Sequence, residues 1–134
     1  MGRDVENRGK DASTYVLREL LMETAAFTLL IASIVVLWRD NMLLFIVALV
    51  ECLMVLWVWH EQYDLYFFAT IATLSSIAEA VFVHFGVWRY ANPTFLGVPL
   101  WFQVAFGTAA VVGQRLVRTT DSMVLKAKHW QSMD

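Results

Sequence analysis

Four long apolar runs alternate with short polar breaks along this chain. The runs cover residues 20–38, 42–59, 65–88 and 98–117, each near the roughly 20 residues that a helix needs to cross about 30 Å of hydrocarbon. Backbone amides find no water in a bilayer core, so such runs are expected to be helices despite their many β-branched and aromatic residues. The breaks at 39–41 and 60–64 allow only a turn between antiparallel neighbours. The pattern therefore predicts an all-α, multi-pass integral membrane protein: a single domain folded as a four-helix up-down-up-down bundle. The break at 90–97 differs from the other two. It holds Pro93 and Gly97, with Pro99 directly after, which predicts a rigid, shaped loop with Pro99 in the first turn of the fourth helix.

Composition sharpens this picture. Of 134 residues, 59% are hydrophobic and 16% charged, and a chain this short has too little interior to hide so much apolar surface. A water-soluble fold is excluded, and the surplus must face lipid. An aromatic content of 14% with only two prolines and six glycines excludes a disordered or low-complexity chain. The lone cysteine, Cys52, lies inside the second run, where it fits a small core residue rather than half of a disulfide. A net charge of −2 offers no basic footprint for nucleic acid, so the bilayer is the expected partner.

The placement of the charges is more informative than their sum. Arg3, Arg8, Lys10 and Arg18 precede the first run and Arg115, Arg118, Lys126 and Lys128 attend or follow the end of the last, with Arg39 and Arg89 elsewhere. This bias predicts that both termini are cytoplasmic. Trp38, Trp88 and Trp101 would then form an outer aromatic belt, and Trp57 and Trp59 an inner one. Residues 1–14 are polar and expected to fray. No small-x-small site follows the first run, so a cleaved signal peptide is not expected, and Glu6 stands where a myristoylation motif needs serine or threonine. The tail at 119–134 is expected to be a short surface helix or a frayed end.

Charged side chains inside a span cost about 2.5 to 3.5 kcal/mol each near its centre, so those present need a reason. Glu23, Glu51 and Glu79 are the three candidates, and no lysine or arginine is expected at their depth. An unpaired carboxyl in a low dielectric tends to remain protonated and can donate a proton. The bland reading of each acid is a hydrogen bond to a hydroxyl or amide on a neighbouring helix, or, for Glu23, snorkelling to the interface.

Ser75, Ser76, Glu79 and Gly86 form a polar stripe on the third run, facing a small-and-polar stripe of Gln103, Gly107, Ala110 and Gln114 on the fourth. His84 lies five residues after Glu79, about 140° around a helix, so the pair is not a dyad. His60 and His129 fall in a loop and a tail. With no HxxE or HxxH spacing, no metal site is expected, and no phosphate loop or nucleophile elbow is present. No cofactor is implied.

The stretch from Glu79 to Tyr90, Glu-Ala-Val-Phe-Val-His-Phe-Gly-Val-Trp-Arg-Tyr, followed by Phe-Leu-Gly-Val-Pro-Leu-Trp-Phe over 95–102, resembles a segment of carotenoid-biosynthesis membrane proteins of the bacterioruberin-precursor hydratase type. The resemblance covers about 25 residues of the 134. It implies protonation or hydration of C=C bonds of long isoprenoids within the membrane. On that likeness Glu79 is the acid, and Gly86, Trp88, Tyr90, Gly97 and Pro99 shape the pocket lip.

Three functions suit these features. The first is a small membrane enzyme that protonates an apolar, isoprenoid-like substrate, ending in hydration, cyclisation or isomerisation. An alkene so protonated becomes a carbocation, which wants a neutral acid, aromatic faces and little water. Glu51 or Glu79 would be donor or base, with Glu23 a further candidate. His84, Trp57, Phe82, Trp88, Tyr90, Trp101, Phe102 and Gln103 would line the cavity. The second is a proton-coupled or cation transporter, acting as a homo-oligomer because four helices rarely enclose a pathway alone. The third is a structural subunit of a larger membrane assembly.

Overall fold

The computed structural model describes the backbone over residues 2–131 and side chains over 13–125. It is all-helical, with four helices: α1 Gly2–Leu37, α2 Asn41–Trp59, α3 Gln62–His84 and α4 Trp101–Gln131. Three segments are long and apolar enough to cross a membrane: Ser13–Leu37 within α1, then α2 and α3. The side chains of Arg3, Glu6, Arg8, Lys10, Lys126, Lys128 and His129 lie outside the described residues.

Local signals account for most boundaries. Asp40 caps α2, its side chain accepting from the Leu43 amide at 3.0 Å. His60 closes α2 in the left-handed region, at φ 52°, with its amide donating to the Leu56 carbonyl. At the end of α3 the Gly86 amide donates to the Val83 carbonyl and the Val87 amide to the Phe82 carbonyl. That pair of bonds is a Schellman cap with Gly86, at φ 73°, in its left-handed position. The expected third helix of 65–88 therefore stops at His84, and Gly86 terminates the helix instead of extending its polar stripe.

Other boundaries also move. Residues 2–14, expected to fray, belong to α1, and residues 119–131, expected as a short surface helix or a frayed end, continue α4. Pro99 precedes α4 by two residues; the Phe102 amide donates to its carbonyl at 3.2 Å, a tight lead-in turn rather than the first helical turn.

The helices are not arranged as four equal neighbours. α4 packs against all three others, α1 packs against α2, and α3 has α4 as its substantial partner. Small residues make this central position possible. A Cβ on Gly107 would lie 2.5 Å from the Phe68 ring and 3.1 Å from Ala72 Cβ, so the missing side chain lets α3 approach closely. The two ends of the core differ in content. Leu30, Leu44, Val98, Trp101, Phe102 and Ala105 form one buried cluster, and Val55, Val111 and Val112 the other.

The loop at 85–100 is shaped, as its prolines and glycine predict. The Asn41 side-chain amide donates to the Asn92 carbonyl and to Thr94 Oγ1, and Asn92 Nδ2 donates to the Arg39 carbonyl, tying this loop to the α1–α2 turn. Its tip reverses at Leu96 and Gly97, with φ 50° and 81°. A Cβ on Gly97 would clash with Val83 Cγ1, whereas one on Gly86 would meet nothing within 4 Å. Gly86→Ala should thus cost about 1 kcal/mol for the left-handed backbone alone. Gly97→Ala carries that cost and a clash, and its lower midpoint in urea titration of reconstituted protein checks the order.

Candidate functional site

The turns alternate sides, so two ends of the molecule are distinct. The end holding the α2–α3 turn collects most of the charge. Arg115 on α4 donates from Nε to Asp64 Oδ2 at 3.1 Å, and its Nη2 also pairs with that oxygen and with Glu61 Oε1. Asp64 is 1% exposed. The Arg115 guanidinium also lies 5.0 Å from the Trp59 ring centroid, while the Trp59 indole N–H donates to Glu19 Oε2 at 2.9 Å. Arg118 completes the group through Glu61 at 3.2 Å.

Sequence reasoning missed this cluster. Arg115 counts there toward the cytoplasmic charge, and Asp64 as a loop residue. Register could have found it. Asp64 precedes Ala72 by eight residues and Arg115 follows Gly107 by eight, so the contact between Gly107 and Ala72 in an antiparallel pair sets the two charges opposite each other.

The three candidate acids have three different surroundings. Glu23, 2% exposed, accepts from the Thr119 hydroxyl at 3.0 Å, and its Oε2 has no partner. Thr119 is one helical turn beyond Arg115, so a basic side chain does come to within about one turn of the level of Glu23, against expectation. Glu23 is buried between helices and does not snorkel.

Glu79 accepts from both the Trp88 indole N–H at 2.9 Å and the Tyr90 hydroxyl at 3.0 Å. Burial first, and then this carboxylate, raise the Tyr90 phenol above its ordinary value. Glu79 thereby anchors the incoming limb of the 85–100 loop to α3.

Glu51 is the acid beside a hollow. It lies near the middle of α2, is 9% exposed, and receives the Ser33 hydroxyl on Oε1 at 2.6 Å. Its Oε2 is buried without a partner. A cavity of about 300 Å³ runs beside it, lined by Met22, Ala25, Ala26 and Leu29 of α1, by Met54, Val55, Val58 and Trp59 of α2, and by Thr108 of α4. From Glu51 to Trp59 is eight residues, about 12 Å along a helix. The hollow is therefore an elongated slot along the α1–α2 seam, with the carboxyl toward one end and Trp59 toward the other. Leu29, Met54 and Val58 on its walls are exposed, so it opens sideways.

A second, larger hollow of about 940 Å³ lies between α3, α4 and the loop tip, with walls that include Ser76, Ala80, His84, Phe95, Gly97 and Gln103. His84 and Gln103 are thus brought together, but Glu79 is not on that wall.

The expected aromatic lining is dispersed. Trp57 is 72% exposed on the outside of α2. Phe82 and Trp88 pair at 5.0 Å on the surface, and Tyr90 meets Phe102 edge-on at 6.0 Å. Trp101 and Phe102 are core residues, with Phe102 stacked on Phe106 at 4.0 Å. Trp101, being buried, does not join an outer aromatic belt. Trp59, placed by the sequence in the inner belt, is the aromatic residue that borders the Glu51 slot.

Among the described residues no three His, Cys, Asp or Glu side chains converge as metal ligands would. Comparison with known protein families, with curated proteins and with solved structures finds no match.

Proposed function

We propose that this chain is a four-span membrane protein with both termini cytoplasmic, working as a small membrane-embedded enzyme on a lipophilic, isoprenoid-like substrate. Glu51 is its proton donor. In this topology α4 is the fourth span; its glutamines and Arg115 are tolerable because the other three helices surround it, so it faces less lipid than they do.

The observation that carries the reading is the slot with a carboxyl at its inner end, open sideways to the acyl phase in which such a substrate dissolves. Ser33 fixes one oxygen of Glu51 and leaves the other turned to no protein partner. The carboxyl O–H proton passes to an alkene carbon, the π pair forms the new C–H bond, and a carboxylate faces the resulting carbocation. Capture by water, whose surplus proton returns to the Glu51 carboxylate, gives hydration. Capture by a second double bond moves the charge to a new carbon, and loss of a proton beside it to Glu51 completes cyclisation. Loss of a neighbouring proton back to Glu51 gives isomerisation. The likeness around Glu79 supports the substrate class, whereas the hydrogen bonds of Glu79 to Trp88 and Tyr90 favour Glu51 as the acid.

The test is deuterium incorporation. Protein in lipid nanodiscs in D2O is offered linear isoprenoids, namely farnesol, geranylgeraniol and lycopene, and the products are read by mass spectrometry. Glu51→Gln should lower incorporation about 100-fold or more, the usual worth of a general acid, while Glu79→Gln keeps turnover. Wild-type rates in Glu51→Gln would overturn the assignment. Proton-driven flux in vesicles that depends on Glu51, without incorporation, would establish transport instead.

A further inference from the structure

We infer that the Glu51 slot binds linear lipophilic ammonium ions, the ammonium completing the carboxylate and the alkyl chain lying along the α1–α2 seam. This rests on the slot assigned above but does not require turnover.

The argument starts from what the buried acids lack. Asp64 has Arg115 as counter-ion. Glu51 forms no ion pair with any described lysine, arginine or histidine, and one of its oxygens is buried with no donor. Glu23 shares the orphaned oxygen but borders neither hollow described above. Among the described residues, Glu51 is the acid with an unpartnered oxygen that also lines one of these two hollows.

That space selects the ligand. A buried carboxylate is stable when it gains both an opposite charge and hydrogen bonds. A primary ammonium supplies a cation and three donors on a compact head. One donor suits Glu51 Oε2. The walls beyond Thr108 are apolar apart from the Trp59 indole, whose N–H is taken by Glu19, so the rest of the ligand should be a hydrocarbon chain. Such an ion also reproduces the charge-separated state in which a carboxylate faces a cation.

The experiment compares decylammonium with n-decanol, which has the same chain and a donor but no charge. Binding to protein in phosphatidylcholine nanodiscs at neutral pH is corrected for partition into empty nanodiscs. Wild-type protein should prefer decylammonium at least tenfold, and Glu51→Gln should abolish that preference. Ala25→Phe, which fills the slot from an exposed wall position and leaves the acid in place, should weaken both ligands at least tenfold. Equal binding of the two ligands by wild-type protein overturns the inference without reference to any variant. A preference surviving in Glu51→Gln, or undiminished binding in Ala25→Phe, places the cation elsewhere and overturns it too. Deuterium incorporation is a separate readout, so failure of the enzymatic reading and failure of this one are distinguishable.

Discussion

Arg115→Ala is expected to destabilise the protein by about 3–5 kcal/mol, the range seen when one partner of a buried ion pair is removed. The reason is the carboxylate left behind. Asp64 is almost wholly buried in the first turn of α3 and already has one oxygen, Oδ1, without a partner. Losing the guanidinium strands the charge, and it also removes the cation from the Trp59 ring and one of the two arginines from Glu61. Unfolding by steric trapping or urea in bicelles measures the effect. The double variant Asp64→Leu with Arg115→Met should recover a large part of the loss, since an apolar replacement of both partners is often close to neutral. Equal stability of Arg115→Ala and wild type would show that the pair contributes nothing to holding α3 on α4.

Phe102→Ala should be of similar size, about 3–5 kcal/mol for emptying a packed aromatic site. Phe102 is 2% exposed and lies at the junction of Tyr90, Trp101 and Phe106. It touches the loop and the core at once, so the cavity left behind has little prospect of collapsing. The same substitution separates two roles for this residue. As a core residue it should lower stability and leave decylammonium affinity per folded molecule within about twofold, since the slot lies elsewhere. A ligand-contact role would instead weaken binding while the unfolding midpoint stayed put.

The existence and sequence of the helices were legible because a bilayer permits little else for long apolar runs. Three of the four runs overlap segments long and apolar enough to span a membrane. The α2 boundaries follow the polar break and its Asp40 cap closely, whereas α3 ends earlier because Gly86 is a cap, a role that periodicity does not reveal. Which helix is central was not legible. Helix order fixes direction but not neighbours, and α4 carries the mixed small and polar composition of a shielded helix without announcing what shields it.

Within the candidate site, Glu51 was legible as a charge that needed a reason, because its position in the middle of an apolar run is a fact of sequence. Its Ser33 partner, on a different helix and eighteen residues away, was not, since rotation about a helix axis is unspecified by hydropathy. The same freedom explains the dispersed aromatics. Trp57 and Trp59 are two residues apart, about 200° around a helix, so one faces outward and the other borders the slot. Asp64 and Arg115 were hidden differently, one lying in the polar break before the third run and the other near the end of the fourth, where charge is ordinary.

The axial position of α4 bears on how the molecule is made. The surface that joins α3 to the rest of the bundle belongs to α4, which is synthesised after it. Until it arrives α3 has a tether to α2 of two residues and almost no partner, with the Phe68 side facing lipid and Asp64 lacking its arginine. A chain that stops near residue 100 thus leaves the Asp64 carboxylate without its counter-ion. Emergence of α4 then becomes the event that lets α3 dock on the bundle and gives Asp64 its arginine.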